Sequence, residues 1–268
     1  MLAFPNAKIN IGLHILRKRQ DGYHDIETCL YPVPWHDILE VVPADRFSFK
    51  QTGLAIPGNK QDNICIKAYE TLRKKLNIPP AAIHLHKVIP MGAGLGGGSS
   101  DGAFTIKLLN AVFNLNLSLD EMKEEAGKLG SDCPFFIENI PAIATGRGTI
   151  LEPTSVDLSD LFIGIIKPDI HVSSAEAYSG VAPENRDFLL QDLLESPVAS
   201  WKNSLFNDFE RSVFPKHPSI EKTKELIEKK GSLYSSMSGS GSSVFGLFEK
   251  KLQDTEEFTF FKKLKINN

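Results

Sequence analysis

The residues best suited to chemistry lie in one glycine-rich stretch between a predicted strand and a predicted helix. The stretch runs from Pro90 to Asp101 and reads PMGAGLGGGSSD. Glycine leaves backbone N–H groups unshielded, and the helix that follows aims the positive end of its dipole at the loop. The sequence therefore predicts a phosphate cradle. A flexible linker is the alternative, but linkers rarely join two periodic elements directly.

The cradle does not match the lysine-containing P-loop. The register G-x-x-x-x-G-K-[ST] fits Gly92 and Gly97 but requires lysine where the chain has Gly98. The pattern G-x-G-x-x-G is satisfied by Gly92, Gly94 and Gly97, which keeps a dinucleotide loop as an alternative. The preceding proline and the continuation into Ser99–Asp101 argue against that alternative.

Lys8 and Asn10 lie two residues apart in an alternating segment, Ala7 to Leu16, which predicts a half-buried strand. Their side chains therefore project to the same side of the strand. A lysine in that position can meet an anion. An exposed lysine on an edge strand is the alternative, and it is the better interpretation of a lysine considered alone.

Asp132 lies between Gly130 and Pro134. Its carboxylate could cap a helix that begins at Cys133, which is a common use of aspartate before proline. It could instead act as a general base, which requires hydrogen-bond reach to the proton that it takes. The local sequence alone favours the cap.

Three ring-bearing side chains are suited to holding a flat heterocycle. Tyr23 and His24 follow a turn at Asp21-Gly22, and Tyr178 follows a predicted capping box from Ser173 to Glu176. Tyrosine offers an aromatic face, and histidine adds a donor and an acceptor at its edge. Ordinary packing is the alternative for each residue taken singly.

A second loop, Ser235 to Ser243, is rich in serine and glycine and adjoins a predicted strand. Such a loop offers many hydrogen-bond donors and could close over a ligand. A mobile surface loop is an alternative of equal weight.

Periodicity predicts the elements that position these residues. The predicted strands are Ala7–Leu16 and Tyr23–Tyr31, paired as a hairpin, then Ile83–Ile89, Leu161–Ile166 and Val244–Phe248. The predicted helices are Ile64–Leu76 with Asp62 as N-cap, Ala103–Phe113, one from the capping box Ser118/Glu121 to near Gly130, one from Ser173, and two near Leu205–Phe214 and Ser219–Lys229. A polar, proline-containing stretch around 151–160 predicts a boundary between domains 1–155 and 156–268.

Composition limits the classes of function. The chain has 268 residues, 30 Lys and Arg against 33 Asp and Glu, and a formal net charge of -3. This balance gives no overall attraction to nucleic acid or to an anionic membrane, so an anionic ligand needs a local site. The three cysteines lack disulfide or zinc spacing, which favours a reducing cytoplasm. No apolar run reaches membrane-spanning length, and the amino terminus does not resemble an export signal.

Five stretches, in their order along the whole chain, resemble the GHMP kinases, a superfamily of ATP-dependent kinases for small molecules. The stretches are PNAKIN (Pro5–Asn10), DGYH (Asp21–His24), GLGGGSSD (Gly94–Asp101), GSDCPFF (Gly130–Phe136) and MSGSG (Met237–Gly241). The combination is far more specific than any one of them. Gly97-Gly98 before the Ser-Ser pair resembles the branch whose alcohol substrate carries a cytidine diphosphate group.

The resemblance implies a reaction and the residues that perform it. The γ-phosphate of ATP goes to the 2-hydroxyl of a methylerythritol that carries cytidine diphosphate, a step in the non-mevalonate route to isoprenoid precursors. Asp132 would accept the hydroxyl proton, while Lys8, paired with it, stabilises charge on the transferred group.

The resemblance also implies the binding residues. The substrate would be held by Asn10 at the polyol, by Tyr23 and Tyr178 stacked on the cytosine, by His24 at the base edge and by Ser174 nearby. The triphosphate would be held by Pro90, Met91, Gly92, Ala93, Gly94, Leu95, Gly96, Gly97, Gly98, Ser99 and Ser100, with Asn63 and Lys67 flanking the adenine. Magnesium would accompany ATP with its ligands unassigned, because Asp101 and the adjacent serines could equally cap the helix.

The implied fold class is α+β in two domains, the amino-terminal one like the second domain of ribosomal protein S5 and the carboxy-terminal one ferredoxin-like. Both substrates would bind in the cleft between them, in a monomer or weak homodimer. A sibling GHMP kinase for mevalonate or homoserine is an alternative, but a plain polyol gives Tyr23 and His24 nothing flat to hold. An RNA-binding S5-like module should be strongly basic and has no use for the glycine loop. A nicotinamide-dependent oxidoreductase ranks below these.

Overall fold

The structure is a computed structural model, and it describes residues 1–184, 186 and 189–265. The chain forms two compact units. Unit 1 contains Met1–Ala7, Trp35–Met91 and Gly96–Ile140, and unit 2 contains Lys8–Pro34, Gly92–Leu95 and the residues from Pro141 onward. Each unit therefore combines separate stretches of the sequence.

The strands, in chain order, are β1 (Leu2–Ala3), β2 (Asn6–Lys18), β3 (His24–His36), β4 (Ile38–Pro43), β5 (Ser48–Gly53), β6 (Ala81–Lys87), β7 (Ala142–Thr145), β8 (Ile150–Pro153), β9 (Phe162–Ile166), β10 (Tyr234–Met237), β11 (Val244–Phe248) and β12 (Phe260–Lys263). The α-helices are α1 (Ile64–Leu76), α2 (Gly97–Val112), α3 (Leu119–Gly127), α4 (Phe135–Glu138), α5 (Ser174–Ser179), α6 (Leu190–Leu194), α7 (Glu210–Val213) and α8 (Pro218–Lys229). Short 3₁₀ helices span Lys60–Asp62 and Val198–Asn203.

Unit 1 is a mixed four-stranded sheet packed against helices. The strand order is β1-β4-β6-β5, with β4 antiparallel to β6 and β5 parallel to it. Leu39 and Val41 of β4, with Ile83 and Leu85 of β6, are buried and alternate with more exposed residues. Helix α2 packs against β4 and against α1. The apolar face of the sheet and these two helices therefore form the core of unit 1.

Unit 2 contains two sheets. One has the order β2-β3-β7-β8, and the other, antiparallel throughout, has the order β10-β11-β9-β12. Helix α8 packs against β10 and β11. Leu13 and Ile15 of β2 lie in one buried cluster with Val213 and Val244. The core of unit 2 therefore joins its first sheet to its second.

The predicted hairpin is confirmed. Strands β2 and β3 are neighbours, and the Arg19 N–H donates to the Tyr23 carbonyl at 2.8 Å across the turn. The other predicted strands, Ile83–Ile89, Leu161–Ile166 and Val244–Phe248, correspond to β6, β9 and β11 with ends shifted by at most two residues. Period-two alternation was therefore a reliable guide to strands in this chain.

Two helix starts differ from the prediction. Helix α1 is capped by Asn63 and not by Asp62, because the Asn63 Oδ1 accepts the Cys65 N–H at 2.9 Å. Helix α2 begins at Gly97, inside the stretch predicted as loop, because Gly96 at φ +67° turns the chain directly into the helix. The capping box predicted at Ser118 is confirmed, although α3 ends at Gly127 and not near Gly130.

The segment near Leu205–Phe214 forms only the short helix α7, although a longer helix was predicted. The side chain of Asn207 explains the difference. Its Nδ2 donates to the Met237 and Gly239 carbonyls, and its Oδ1 accepts the Phe209 N–H at 3.0 Å. An asparagine that bonds the backbone in this way competes with helix formation.

Strand β2 is buried on both faces, so the prediction of a half-buried strand is wrong. Lys8 and Asn10 are each only 4% exposed, and His14 is fully buried. Lys8 and Asn10 can be buried because they bond to each other: the Lys8 Nζ donates to the Asn10 Oδ1 at 2.5 Å. The interpretation of Lys8 as an exposed edge-strand lysine is therefore also wrong.

The predicted division into residues 1–155 and 156–268 stays a prediction. The compact units follow strand pairing, which joins β3 to β7 through Thr28 and Ala144 and so groups an early stretch with later ones. Among the residues that the structure describes, no helix has the length and apolar character needed to cross a bilayer.

A buried charge cluster lies in the core of unit 1. The Lys87 Nζ donates to the Asp37 Oδ2 at 2.5 Å and to the Asp101 Oδ2 at 2.8 Å, and all three side chains are at most 1% exposed. The Asp37 Oδ1 also accepts the Val88 and Ile89 N–H groups at 2.5 and 2.9 Å. Asp37, which lies between β3 and β4, and Asp101 of α2 are thus both bonded to Lys87 at the end of β6, and Asp37 is also bonded to the backbone that follows it.

The two carboxylates of this cluster differ. Asp37 is surrounded by donors, whereas the Asp101 Oδ1 has no hydrogen-bond partner among the described residues. Burial raises the pKa of Asp101 to about 8, against the opposing effect of Lys87. Burial opposes the charge of Lys87, but Asp101 and Asp37 together hold its pKa above the usual value. Near pH 7, Asp37 and Lys87 therefore form the ion pair, and Asp101 is largely protonated.

We expect Asp37→Asn and Asp101→Asn to differ strongly in stability. Asp37→Asn leaves a buried ammonium without its carboxylate and should lower the free energy of unfolding by about 3–5 kcal/mol. Asp101→Asn resembles the protonated acid and should lower it by about 1 kcal/mol or less at pH 7. Urea unfolding followed by circular dichroism measures both, and equal losses would contradict this assignment of charge.

The pH dependence of the same variant gives a further check. Because the pKa of Asp101 is raised from 3.8 to about 8, the folded state binds its proton more tightly than the unfolded state does. This group therefore makes the wild type lose stability as the pH rises from about 4 to about 8. Asp101→Asn should lack that loss, so its stability relative to wild type should improve between pH 5.5 and 8.

Candidate active site

The second half of the glycine loop opens helix α2. Gly96 occupies the N-cap position, and no side chain caps the helix. A Cβ on Gly97 would lie 2.8 Å from the Ile89 Cγ2 and 3.0 Å from the Lys87 Nζ, so glycine lets the helix start pack directly against the buried cluster. Uncapped amides at the start of a 16-residue helix are suited to an anion.

The first half of the loop, Gly92–Leu95, has its carbonyl groups bonded within unit 2. The Ala93 carbonyl accepts the Ser243 N–H at 3.2 Å, and the Leu95 carbonyl accepts the Lys8 N–H at 2.9 Å. The Gly94 carbonyl accepts the Ser238 hydroxyl at 2.8 Å. Three carbonyl oxygens are thus turned toward protein donors, which keeps their negative ends from facing a phosphate.

Close packing requires glycine at position 94. Its φ is +77°, and a Cβ would fall 1.9 Å from the Ser238 carbonyl oxygen. The Ser/Gly segment that packs here includes the Ser238, Ser242 and Ser243 side chains, all fully buried. The prediction of a mobile surface loop at 235–243 is therefore wrong: its first residues belong to β10, and the rest supports the glycine loop.

A cavity of about 340 Å³ in unit 1 adjoins the start of α2. Its lining is partly apolar, from Phe49 and Met91, and partly polar, from Lys60, Asn63 and Ser99. Such a mixture is typical of a small-molecule site. The cavity is therefore a candidate for the base and ribose of a nucleotide.

Of the two residues predicted to flank an adenine, Asn63 lines this cavity, and Lys67 is not among its described lining residues. Asn63 lies on the cavity wall, where it also caps α1. Lys67 is half exposed and pairs with Asp62 at 3.1 Å. Lys60 lines the cavity and was missed from the sequence, where no periodic signal marks a residue of an isolated 3₁₀ turn.

The side chains of two residues at the end of the glycine loop, Ser100 and Asp101, are buried and poorly accessible to a ligand. Ser100 is fully buried, and its hydroxyl has no hydrogen-bond partner among the described residues. Asp101 lines the cavity but is bonded to Lys87 and only 1% exposed. Neither side chain caps α2, so the capping interpretation of Asp101 and its neighbours is wrong.

Asp132 is half buried in a turn of unit 1 between α3 and α4. Helix α4 begins at Phe135 with Pro134 at its N-cap position and has no side-chain cap, so the prediction that Asp132 caps it is wrong. Buried Cys133, whose N–H donates to the Gly130 carbonyl at 3.2 Å, holds the turn in place. The turn that carries the Asp132 carboxylate is thus anchored by a buried neighbour and a backbone hydrogen bond.

Lys8 and Asn10 lie side by side on β2 in unit 2. The Asn10 Oδ1 accepts the Lys8 ammonium at 2.5 Å, and the Asn10 Nδ2 donates to the Thr28 hydroxyl at 3.1 Å. Both ends of the amide are therefore engaged by protein groups. The structure brings the two predicted residues together, but in a mutual contact that the spacing alone did not reveal.

The predicted heterocycle residues form two separate contacts in unit 2. His24 stacks on Tyr178 with ring centroids 4.8 Å apart and an angle of 16° between the rings, and Tyr178 meets Phe209 edge-on. Tyr23 is 53% exposed and has the Arg147 guanidinium 3.5 Å from its ring centroid. One face of Tyr23 is thus covered by a cation, which leaves the other for a base.

The protonation of His24 suits a base edge. Burial, assisted by the positive charge of Lys18, lowers the pKa of His24 below its usual value. The imidazole is therefore neutral at pH 7 and offers one donor and one acceptor. Ser174 lies exposed in the first turn of α5, in the same helix as Tyr178.

Arg147 was missed by the sequence reasoning. It lies in the turn between β7 and β8, between two glycines with positive φ, Gly146 and Gly148. The signal that could have found it is this G-R-G turn, which presents a charged side chain on a tight bend.

No group of three or more His, Cys, Asp or Glu side chains is arranged to hold a metal within the described ranges. The side chains of the described residues therefore do not form a metal site made of protein ligands alone.

Comparison with known proteins identifies the family. The model for the GHMP kinases N terminal domain matches residues 63–141, and the model for the GHMP kinases C terminal matches residues 189–260. The first match contains α1, β6, the glycine loop and Asp132. The family is therefore recognised in the same residues that form the candidate site of unit 1.

Relatives extend the similarity to nearly the whole chain. A protein named 4-diphosphocytidyl-2-C-methyl-D-erythritol kinase from Parabacteroides distasonis is 50% identical over 97% of this chain and 96% of its own length. One of the same name from Cytophaga hutchinsonii is 52% identical with the same coverage. A crystal structure of 4-(cytidine 5'-diphospho)-2C-methyl-D-erythritol kinase superposes with a TM-score of 0.81 at 29% identity, covering 92% of this chain and 90% of that one.

Sequence similarity at this level over both domains, together with the matched architecture, confirms the α+β fold expected from the motifs. The chain therefore belongs to the GHMP kinases and, among them, to the family of the 4-diphosphocytidyl-2-C-methyl-D-erythritol kinases.

Proposed function

We propose that this chain transfers the γ-phosphate of ATP to the 2-hydroxyl of 4-diphosphocytidyl-2-C-methyl-D-erythritol, a step in isoprenoid precursor biosynthesis. The observation that carries the proposal is the similarity of about 50% over nearly the full length to kinases of that name. The uncapped start of α2 supports it, since a kinase must hold a triphosphate.

The nucleotide binds in unit 1 and along the glycine loop. The cavity lined by Phe49, Asn63 and Met91 takes the base and ribose, and the amides of Gly97 to Ser99 hold the phosphates. These amides act in place of the lysine of a P-loop. Magnesium, when bound with ATP, would neutralise charge on the phosphates, and phosphate and water would supply most of its ligands.

Asp132 and Lys8 carry the chemical step. An alcohol is a poor nucleophile at neutral pH, so a base must accept its proton as the bond to phosphorus forms. Asp132 is the base, because the stretch GSDCPFF matches the family motif that carries one, and the side chain lies half buried in the turn before α4. Lys8 is the cation that stabilises the charge on the transferred group, and its burial among bonded polar groups keeps it in place.

The cytosine is recognised in unit 2. Tyr23 offers its uncovered face for stacking, and neutral His24, held flat against Tyr178, offers its edge to the base. Ser174 supports the same region from α5. Asn10 reaches the polyol less directly than the resemblance implied, because both ends of its amide are already bonded to protein.

A sibling GHMP kinase acting on mevalonate or homoserine is the second candidate. The names of the relatives and the exposed ring of Tyr23 favour the cytidylyl substrate. The small-molecule substrate, with no nucleic acid or membrane partner, agrees with a net charge of -3. We further propose that the protein is cytoplasmic, which its three buried, free cysteines favour, and that it is a monomer or weak homodimer.

The proposed function is tested by measuring ADP release from ATP and magnesium with three alcohols offered separately. These are 4-diphosphocytidyl-2-C-methyl-D-erythritol, mevalonate and homoserine, and phosphorus NMR locates the new phosphate. Phosphate on the 2-hydroxyl of the cytidylyl substrate alone is expected. Turnover only with another alcohol would retain the kinase chemistry and refute the cytosine site.

We expect Asp132→Asn and Lys8→Ala each to lower kcat by at least ~100-fold while leaving ATP binding largely intact. The first removes the base and the second removes the cation. Coupled ADP release measures kcat, and isothermal titration with a non-hydrolysable ATP analogue measures binding.

Matched controls for these variants are Asp160→Asn and Lys50→Ala, which alter an exposed acid and an exposed lysine. Both should keep kcat near the wild-type value. Near-normal turnover in Asp132→Asn or in Lys8→Ala would remove that residue from the mechanism.

We expect Tyr23→Leu to raise the KM for the cytidylyl substrate by about 10-fold or more, because base–aromatic stacking contributes about 1–3 kcal/mol. The KM for ATP should not change. Tyr23→Phe is the control and should keep both KM values, since the ring and not the hydroxyl does the stacking. Steady-state kinetics decides the matter, and an equal rise in both variants would point to the hydroxyl instead.

A further inference from the structure

A chain of hydrogen bonds runs from the backbone of β2 through β3 to Lys8. The Thr28 hydroxyl of β3 donates to the Gly12 carbonyl at 2.5 Å. It accepts the Asn10 Nδ2 at 3.1 Å, and the Asn10 Oδ1 accepts the Lys8 Nζ at 2.5 Å. The side chains of Thr28, Asn10 and Lys8 are 1%, 4% and 4% exposed, so water does not compete for these bonds.

The direction of each bond in this chain is fixed by chemistry. The Gly12 carbonyl can only accept, so the Thr28 hydroxyl must donate to it and has only lone pairs left for Asn10. The Asn10 amide must therefore turn its NH₂ group toward Thr28. Its oxygen then faces the Lys8 ammonium, which can only donate. One carbonyl group thus sets the orientation of an amide two side chains away.

Thr28 is itself held firmly. Its Cα is paired with Ala144 of β7 in the antiparallel sheet, so its strand is bonded on the side away from β2. As a β-branched residue it has few rotamers available. The Gly12 N–H lies 3.4 Å from the Tyr234 hydroxyl, which fixes the backbone at the other end of the chain of bonds.

We propose that Thr28 is a positioning residue for phosphoryl transfer: it fixes the orientation of the Asn10 amide and, through it, the place of the Lys8 ammonium. This inference rests on the proposed function, because Lys8 acts there on the transferred group. Asn10 is one partner of Lys8, and Thr28 contacts neither substrate. Threonine is needed because it donates to Gly12 and accepts from Asn10 at the same oxygen.

Replacing Thr28 by valine keeps the shape and removes this oxygen. The Asn10 NH₂ then loses its acceptor, and the amide can turn so that NH₂ and ammonium face each other. A lysine displaced by about 1 Å can lower the rate of a positioned reaction by about 100-fold. Substrate binding should change less than kcat, because neither the nucleotide cavity nor the aromatic contacts include Thr28, and Asn10, which it does bond, reaches the polyol only indirectly.

The kinetic experiment compares Thr28→Val, Thr28→Ser and Thr28→Val combined with Asn10→Ala. We expect Thr28→Val to lower kcat by about 10- to 100-fold with both KM values within about 3-fold of wild type. Thr28→Ser keeps the hydroxyl and should stay within about 3-fold. In the Asn10→Ala background, Thr28→Val should have little further effect, because Thr28 acts through Asn10.

The matched control is Thr105→Val in unit 1. Thr105 is also fully buried, and its hydroxyl also donates to a backbone carbonyl, that of Asp101 at 2.7 Å. The volume change and the lost bond to a backbone carbonyl are the same, but no link to Asn10 and Lys8 is broken. Its kcat should remain within about 3-fold of wild type, and urea unfolding should show that all variants fold.

A second readout does not depend on activity. In the wild type, the Asn10 side-chain NH₂ proton bonded to Thr28 should exchange slowly with solvent in ¹⁵N-resolved NMR. Thr28→Ser should retain this protection, and Thr28→Val should lose it by at least 10-fold in exchange rate. Asn10→Ala identifies the resonance.

The outcomes separate this inference from the function on which it rests. Unchanged exchange in Thr28→Val, or a kcat equal to that of Thr105→Val, would overturn the positioning role even if wild-type kinase activity is present. Equal losses of kcat from Thr28→Val in the wild-type and Asn10→Ala backgrounds would also overturn it. Absence of wild-type turnover with the cytidylyl substrate would refute the proposed function, while the exchange measurement would still decide whether Thr28 orients Asn10.

Discussion

The tight backbone between Gly92 and Gly98 must pair the carbonyl oxygens that it turns into the protein with hydrogen-bond donors from elsewhere in the chain. The structure meets this constraint with protein donors: Lys8, Ser238 and Ser243 bond the carbonyls of Leu95, Gly94 and Ala93. Only glycine at position 94 allows the approach to Ser238, where a Cβ would fall 1.9 Å from the carbonyl oxygen. The Ser/Gly segment is therefore best understood as support for the loop.

The start of α2 depends on a second constraint, the burial of charge. Lys87, Asp37 and Asp101 place one ammonium between two carboxylates in the core of unit 1, at a position that Gly97 leaves free of a Cβ. A buried cluster of this kind is stable only if its charges balance. Because its pKa is raised to about 8, Asp101 is largely protonated near pH 7, and the charges then balance. Helix α2 carries Asp101, which is buried in the core, and the uncapped amides at its start. The stability of the core and the shape of the candidate site at the helix start therefore depend on the same helix.

Much of the fold could be read from local patterns. Alternation located β2, a continuous apolar run located β9, the Ser118 box located α3, and the glycine stretch located the loop that leads into α2. Local patterns failed where a distant group competed. Asn207 bonds the carbonyls of Met237 and Gly239 and so limits α7, and Ser238, just after β10, is buried where its hydroxyl bonds the Gly94 carbonyl 144 residues earlier. Neither contact leaves a trace in the spacing of neighbouring residues.

The sequence by itself determined the family and singled out the glycine stretch and the residues that could act, because these follow from residue types in a fixed order. Only the tertiary structure decided how these residues are buried and which groups they bond. A lysine on a strand was expected to be exposed until folding placed Lys8 beside Asn10, and Thr28 carried no signal at all until the hairpin brought its hydroxyl to the Asn10 amide. The direction of a hydrogen bond depends on which groups meet in space. Burial keeps water from replacing these bonds, and burial is set by the packing of the whole unit.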